Sequence, residues 1–461
     1  MSSTTDVIRN LNLTELAYMN NYPDALKFPF DWVAGGSSEV WSGNATLTTK
    51  HFSFSGRARI EVDTFPRPKW RFCIDPNKDV PMSLRWKQII DGSSDGRSAK
   101  LETKGPFGTV NVSTDGTTER FSGDIHGGNH SDFSLVQSIV FGVINGHKVQ
   151  GSKIKISNHA WDGRSNFVIE RNAFTIDSIP HDATDSRSLY HPTHVIKIVL
   201  QESVSAADIE KLSSKIFWTL SLMKLGWVGI LGPWLYDREG KLVAIDTGVT
   251  KTAKRNSGKT WCHESISDAF ELLYDCLDKT LDNDMQREPM ITAMHWLVES
   301  EMGTTSIEGS IILQQAALEC LAWLEVVQKK GHCLYNEFDN LSAAKKFRRL
   351  LSLYNIDASI PPQCAELQSY ADDYPNAELS FLTDLLAHFR NALVHANPKK
   401  MSQLFTRPKG DEERANLWYQ IGCVVQQAVL ASLGYDGQMI MRRSDAVYSS
   451  NAVEFVPWRT K

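Results

Sequence analysis

The sequence predicts an α+β protein, with an N-terminal β-rich antiparallel domain, sandwich- or barrel-like, followed by a C-terminal all-α helical bundle. Between residues 50 and 200, short alternating polar and apolar runs are separated by turn sequences. From residue 263 onward, apolar residues instead recur every three or four positions. The polar, basic stretch Lys251–Lys259 separates the two patterns. We therefore expect a β-rich domain at 1–250, a helical domain at 262–435 and an extended tail at 436–461.

Composition limits the classes of function. The chain has 461 residues, enough for two or three domains, and its formal net charge of -5 excludes a generally basic nucleic-acid coat. Any RNA contact must then come from local basic patches. The seven cysteines form no CxxC pair, which predicts free thiols and neither a zinc module nor a disulfide framework. No signal peptide pattern and no run of about 20 apolar residues is present, so we expect a cytoplasmic protein without membrane contact.

Period-two alternation is clearest at 59–62 and 153–156, as in half-buried strands. Asp-Gly and Asn-Gly turns separate the runs. The predicted strands are 51–63, 69–75, 83–90, 99–104, 110–113, 152–157, 166–176 and 194–200.

The β-rich half carries little chemistry of its own. Its closely spaced histidines are two pairs without a third ligand, which indicates loop histidines rather than a metal site: His126, His130, His191 and His194. Its tryptophans predict core anchors, and a carbohydrate-binding domain would require them to form an exposed platform: Trp41, Trp70, Trp86 and Trp161.

A helix and a hairpin are predicted near 205–246. Ser205 caps the helix, with Asp208 at the reciprocal position, and Gly226 ends it. The hairpin strands are predicted at 228–236 and 241–246.

The helices predicted after the linker are 264–281, 284–302, 305–330, 341–354, 377–397 and 411–433. In the third, Glu319 has mostly apolar neighbours and therefore requires a cationic partner. We expect this partner to be Arg390, which would make Glu319 a residue that orients the arginine. The alternative is a partly exposed Glu319, or one paired elsewhere.

The stretch from Phe381 to Asn397 is the most informative of the chain. At about 100° per residue, its large apolar residues fall on one stripe, which predicts a core-facing helix: Leu382, Leu386, Phe389 and Leu393. Arg390, Asn391 and His395 lie on the other side, within roughly 140° of one another. Pro398 then ends the helix.

These three residue types suit cleavage of a phosphodiester. The Arg390 guanidinium can hold phosphate oxygens with two parallel hydrogen bonds. The His395 imidazole can take a proton from a ribose 2′-OH and return one to the leaving oxygen. Asn391, one turn before the histidine, can orient the ring or the phosphate.

The Arg-Asn-x-x-x-His pattern on a late helix of an all-α domain resembles the signature of the HEPN superfamily, whose active members are metal-independent ribonucleases. Arg390, Asn391 and His395 match that pattern position by position. The resemblance implies a HEPN-like bundle, catalysis without metal or other cofactor, and a homodimer in which two chains pool their single motifs at the interface.

Two basic clusters flank the motif in the sequence and are predicted to bind RNA: Lys345, Lys346, Arg348 and Arg349 before it, and Lys399 and Lys400 after it. For the first cluster, a solvated helix face is the alternative.

A β-rich half joined to such a bundle is similar to the large prokaryotic HEPN proteins of the ApeA and abortive-infection type. That similarity implies an anti-phage endoribonuclease acting on RNA, possibly tRNA, with an unknown phage trigger recognised by the β-rich domain. The alternative is a non-catalytic HEPN-type module that dimerises and carries a β-rich recognition domain.

Overall fold

The structure is a computed structural model of the chain. It describes residues 22–32, 36–49, 53–63, 68–76, 98–113, 133, 135–147, 150–156, 159–179, 190–247, 250–253, 260–394, 402, 404–441 and 453–459, and the backbone of 115–116 and 121–129. The chain divides into two compact units. Unit 1 comprises Met1–Phe217 with Val228–Arg255, and unit 2 comprises Trp218–Trp227 with Asn256–Lys461. An N-terminal region of antiparallel sheets precedes a C-terminal helical region, so the predicted α+β class is confirmed.

The first sheet of unit 1 closes on itself. Its strands are β1 (Ser37–Thr48), β2 (Ser53–Asp63), β3 (Lys69–Pro76), β4 (Ser98–Thr103), β5 (Thr109–Ser113), β6 (Asp115–Gly116) and β7 (Phe121–Asn129). They lie in the order β3-β2-β1-β4-β5-β7-β6, and an additional β3–β7 pairing joins Arg71 to Asp124 and Ile74 to Phe121. The strand pairing therefore makes this first sheet barrel-like, which is one of the two architectures predicted for the domain.

Side chains from every second strand position fill the inside of this barrel. Along β2, every second residue from Phe54 to Val62 is buried, as a strand with one face on a core requires. Trp70 is 1% exposed and contacts Phe107 and Trp234, with ring centroids 5.8 and 6.2 Å away.

The second sheet of unit 1 is antiparallel and open. It contains β8 (Ser138–Ile144), β9 (Ser152–Ile156), β10 (His159–Ile169), β11 (Asn172–Ser178), β12 (Pro192–Val199), β13 (Gly229–Tyr236) and β14 (Leu242–Ile245). Their order is β14-β13-β8-β12-β11-β10-β9. Arg164 on β10 bonds both carboxylate oxygens of the buried Asp177 on β11, at 2.7 and 2.6 Å. The hydrogen bonds to Asp177 raise the pKa of the guanidinium.

The single strand predicted at 166–176 is wrong, because two strands, β10 and β11, pair there across a tight turn. The turn residues Glu170 and Arg171 have φ values of 50° and 71°, a conformation in which Asn-Gly would be expected. Strands β1, β6, β7 and β8 were not among the predicted strands, and the strand predicted at 83–90 lies outside the described residues.

The predicted helix near 205 is α1 (Ala206–Lys224). Its N-terminal cap is confirmed: the Ser205 amide donates to Asp208 at 2.9 Å, and the Asp208 amide donates to the Ser205 hydroxyl at 3.2 Å. The predicted end at Gly226 is wrong, because the helix ends at Lys224 and Leu225 takes the left-handed conformation, at φ 52°.

Unit 2 is helical. Its helices are α2 (Ala269–Leu281), α3 (Asp284–Glu301), α4 (Ile307–Ala322), α5 (Tyr335–Asp339), α6 (Ala343–Leu353), α7 (Ala365–Asp372), α8 (Leu382–Val394) and α9 (Gly410–Leu433). A π-helical segment, Trp323–Lys329, continues α4. The predicted helices at 305–330 and 377–397 were too long at their starts, because Ser306 caps α4 and α8 begins at Leu382. Helices α5 and α7 were not predicted.

Helix α4 with its π-helical continuation is the core helix of unit 2. Among the described residues, only Ile307–Lys329 is long and apolar enough to cross a membrane, and 61% of its most apolar window is buried inside the structure. That burial is what a core helix of a globular bundle shows.

The chain after α9 packs as part of unit 2. Gly434 ends α9 in the left-handed conformation, at φ 84°, which favours glycine. Strands β15 (Gln438–Ile440) and β16 (Val453–Phe455) then pair antiparallel, and the Trp458 indole donates to the Tyr435 carbonyl at 2.6 Å.

Candidate functional site

Helix α8 places the predicted motif on one side and core residues on the other. Leu382, Leu386 and Phe389 are fully buried, which fixes the rotation of the helix in its unit. Asp384 in the first turn accepts a hydrogen bond from the Phe381 amide at 3.0 Å and so closes the N-terminus. The opposite face carries the half-buried Arg390 and the exposed Asn391.

Arg390 and Asn391 interact directly. The Arg390 guanidinium donates to the Asn391 side-chain oxygen at 3.4 Å, a long hydrogen bond between neighbours. No carboxylate among the described residues lies within ion-pair distance of Arg390. The helix ends at Val394 in the described part of the chain, so His395, Pro398, Lys399 and Lys400 lie outside the described residues.

Other partly buried arginines of unit 2 are paired with carboxylates. Arg348 contacts Asp384 at 2.5 Å, Arg407 contacts Asp373 and Glu413, and Arg414 contacts Glu308 and Asp411. Arg390 differs from these arginines, because no described carboxylate of its unit neutralises its charge. An anionic ligand would find that charge available.

The predicted pairing of Glu319 with Arg390 is wrong. Glu319 is exposed, and it accepts a hydrogen bond from Gln315 of its own helix at 2.8 Å. Solvent and an amide satisfy this carboxylate, so it needs no cation. The alternative stated for Glu319, partial exposure or another partner, describes its position.

Helix α6 divides the first basic cluster between two sides. Lys346 lies 4.9 Å from the centre of the Phe338 ring and 4.0 Å from Asp339. Lys345, Arg348 and Arg349 face away from that site and line a separate pocket. The sequence predicted one basic cluster, but in the structure the four cations do not form one continuous surface.

The two sides of α6 carry opposite charge. On the Lys346 side, a pocket of about 490 Å³ is lined by Trp323, Tyr335 and Phe338, with Glu319 and Asp339 as carboxylates. On the other side, a pocket of about 480 Å³ has three cationic side chains and no carboxylate among its eight lining residues. Only the second pocket suits an anion.

An aromatic and charged cluster beside α8 was not predicted from sequence. The His388 ring lies 5.9 Å from the Tyr370 ring and 5.2 Å from the Tyr374 ring, centroid to centroid. The Arg407 guanidinium lies over Tyr370 at 4.8 Å. Burial opposes the charge on Arg407, but hydrogen bonds to Asp373 and Glu413 outweigh it and raise its pKa. These residues come from three separate parts of the chain, 370–374, 388 and 407–413, so no local sequence pattern predicts that they meet.

The π-helical segment holds a second buried cluster. The Glu325 side chain is 1% exposed and lies 2.7 Å from the Lys329 ammonium and 2.5 Å from the Tyr354 hydroxyl, which donates to it. Lys329 also donates to the Ser432 carbonyl on α9 at 2.9 Å. Burial and the Glu325 charge raise the Tyr354 pKa, so the phenol remains protonated.

The candidate ligands in the β-rich half are structural where the structure describes them. His191 and His194 are 6% and 2% exposed, and His194 bonds the Thr193 hydroxyl at 3.0 Å. The described tryptophans are buried or half-buried, so Trp41, Trp70 and Trp161 form no exposed platform. His130 and Trp86, and the side chain of His126, lie outside the described residues. Within the described ranges, no group of three or more His, Cys, Asp or Glu residues is placed to hold a metal ion.

Fold and site together define an α+β protein with a barrel-containing unit and a helical unit, which presents an arginine that has no carboxylate partner among the described residues. Comparison with known domain families matches residues 131–249 to the YopA central domain and residues 283–453 to the YopA C-terminal domain. The first match spans strands β8 to β14, and the second runs from the start of α3 to the start of β16. Strands β1 to β7 precede both matches.

The chain is 25% identical over 283 residues to the SPbeta prophage-derived uncharacterized protein YopA of Bacillus subtilis (strain 168). The match covers 59% of this chain and 59% of that relative, so over two fifths of each lies outside it. No solved structure matches the chain. The matched domains are YopA domains and no HEPN domain is among them, so the HEPN resemblance stays a prediction.

Proposed function

We propose that unit 2 is an endoribonuclease that cleaves RNA by attack of the ribose 2′-OH, with Arg390, Asn391 and His395 as its reacting groups. The observation that carries the proposal is the state of Arg390. Its guanidinium is half-buried, bonded to Asn391 and not ion-paired among the described residues, whereas Arg348, Arg407 and Arg414 of the same unit are ion-paired.

The chemistry follows from the residue types. The His395 imidazole takes the proton of the 2′-OH, the 2′ oxygen bonds to phosphorus, and the bond from phosphorus to the 5′ oxygen breaks. The imidazolium then returns a proton to the 5′ oxygen. Arg390 neutralises the charge that develops on the phosphate, and Asn391 orients its oxygens. The products carry a 2′,3′-cyclic phosphate and a 5′-OH, and the reaction proceeds without metal.

A single motif supplies one arginine and one histidine per chain, so we propose that two chains combine their motifs in a homodimer through the helical unit. Val394, next to His395, is 42% exposed, and Phe405 is 45% exposed. The exposed Val394 beside the motif, and a second exposed apolar side chain in the same unit, support an apolar contact surface on unit 2.

The biological setting is also a proposal. The relative from Bacillus subtilis is named as prophage-derived, which supports a role in the conflict between phage and host. We propose that the barrel-containing unit recognises a phage trigger and that RNA cleavage, of tRNA among other substrates, follows in the cytoplasm.

The experiment compares wild type, Arg390→Ala and His395→Ala on labelled RNA in EDTA, with end-group analysis of the products. We expect each change to reduce cleavage by at least about 10²-fold, the usual effect of removing a general base or a charge stabiliser. Because both groups act in one step, the double variant should be hardly worse than either single variant. RNA with 2′-O-methyl groups should resist cleavage.

His388→Ala provides the matched control. It also removes an imidazole from α8, but this imidazole contacts tyrosine rings instead of belonging to the motif. It should keep most of the activity once its thermal stability is checked. Products with 5′-phosphates, or equal cleavage by wild type and His395→Ala, would refute the assignment. A wild type that dimerises and binds RNA without cleaving it would establish the non-catalytic module instead.

A further inference from the structure

A pocket of unit 2 is lined by Lys345, Arg348 and Arg349 of α6, and none of its eight lining residues is a carboxylate. It is an open pocket of about 480 Å³ where the π-helical segment, the turn that follows it and α6 meet. Val326, Leu341 and Leu353 form an apolar wall. His332, Lys345 and Arg349 are exposed, and Arg348 is half-buried at the pocket. One apolar wall facing several cations is suited to a ligand with both an anionic and an apolar part.

The charges at this pocket are only partly neutralised by the protein. Arg349 donates to the Cys333 thiol at 3.2 Å, which is a weak acceptor that leaves the positive charge intact. Lys345 makes no hydrogen bond or ion pair with any of the described residues. Arg348 is held by Asp384 at 2.5 Å and lies 5.3 Å from the Phe381 ring, so its position is fixed.

The other side of the same helix serves as an internal comparison. There Lys346 contacts Asp339 and the Phe338 ring, and Glu319 also lines the pocket. Its net formal charge is negative, which disfavours a phosphate. Lys345 and Lys346 are adjacent in the sequence, but they line different pockets with different neighbours.

We propose that the pocket lined by Lys345, Arg348 and Arg349 binds a phosphate of an RNA strand, with Lys345 and Arg349 as the direct contacts. Arg348, held by its ion pair with Asp384, forms a fixed edge of the pocket, and the apolar wall accommodates the neighbouring sugar or base. This assignment rests on the proposed function for the identity of the ligand as RNA. It names a binding contact separate from the cleavage residues Arg390 and His395.

The test measures binding apart from cleavage. A short fluorescent single-stranded RNA with 2′-O-methyl groups cannot undergo 2′-OH attack, so its anisotropy reports affinity alone. We expect Lys345→Ala and Arg349→Ala each to weaken binding roughly three- to tenfold and to lower the slope of log affinity against log salt by about 0.7 to 1. Lys346→Ala, the same change one residue away, should alter affinity less than about twofold.

Each outcome decides something. If Lys346→Ala weakens binding as much as Lys345→Ala, or if neither pocket variant weakens it, the pocket assignment is overturned. As a competitor, inorganic phosphate is titrated into the complex with the fluorescent RNA, and chloride at equal ionic strength serves as the comparison. Competition no stronger than that of chloride supports a strand phosphate. A phosphate affinity that depends on Lys345 and Arg349, with RNA binding unaffected, would make this a small-anion site and overturn the RNA assignment.

Cleavage of unmodified RNA is measured on the same preparations. A wild type that does not cleave, with binding lost in the pocket variants, refutes the ribonuclease but supports the pocket. A wild type that cleaves, with pocket variants that bind as well as wild type, refutes the pocket alone.

Discussion

The buried ion pair of the π-helical segment makes the sharpest stability prediction. Replacing Lys329 by Met removes the cation that lies 2.7 Å from a Glu325 side chain only 1% exposed. The carboxylate stays buried with the Tyr354 hydroxyl as its remaining partner among these groups. Breaking a buried pair in this way costs about 3–5 kcal/mol. For a unit of roughly 200 residues, that lowers Tm by about 6–20 °C.

Removing both charges should cost less than removing one. In the variant Glu325→Met with Lys329→Met, no charge is left buried, and such apolar replacements are often close to neutral. The Tyr354 hydroxyl loses its acceptor, which costs about 1–3 kcal/mol. The double variant should therefore be more stable than Lys329→Met by about 2 kcal/mol.

Urea unfolding followed by tryptophan fluorescence, with calorimetry for Tm, measures these differences. Lys330→Met is the matched control because this neighbouring lysine is exposed, and it should change stability by less than about 0.5 kcal/mol. A double variant less stable than the single one, or a Lys329→Met protein as stable as the control, would show that Glu325 is not a buried charge that depends on Lys329.

The remaining predictions concern pH, assembly and domain structure. Burial and the Asp275 charge raise the pKa of the Cys276 thiol to about 12. Because the thiol pKa is higher in the folded than in the unfolded state, its stabilising contribution is complete below the unfolded pKa near 9 and is lost as the pH rises toward 12. At pH 10 the free energy of unfolding should therefore be lower by on the order of 1 kcal/mol, and Cys276→Ala should remove this loss. Val394→Glu should weaken dimerisation in light scattering and lower cleavage in parallel, while Val168→Glu, 63% exposed in unit 1, should do neither; an active monomer would contradict the composite site. Limited proteolysis should cut first within or close to Lys251–Lys259, and a first cut inside the helices would contradict the predicted boundary.

The sequence correctly predicted the features that depend only on residues close together in the chain. The capping box of α1 needs only Ser205 and Asp208, three residues apart, and both hydrogen bonds form as predicted. The apolar stripe of α8 follows from the helical repeat: Leu382, Leu386 and Phe389 are all buried, and Leu393, the fourth predicted residue, is half-buried. The motif Arg390-Asn391 was accordingly assigned to the right helix and to its non-core side.

Local signals failed where conformation or pairing depends on distant residues. The turn at Glu170 and Arg171 takes positive φ without glycine or asparagine, because the pairing of β10 with β11 imposes it. The barrel closes through β3 and β7, whose paired residues 71 and 124 are over fifty positions apart. No periodicity reports such a contact, so the sequence left sandwich and barrel open.

The candidate site shows the same division. Residue types alone determined that α8 carries an arginine and an amide, and that α6 carries four cations. Only the tertiary structure decided that Glu319 is exposed, that Lys346 is partnered by Asp339 and Phe338, and that Lys345 and Arg349 face a pocket without carboxylates. The physical reason is that charge is a property of the side chain, whereas its neutralisation depends on groups that the fold brings within a few ångströms.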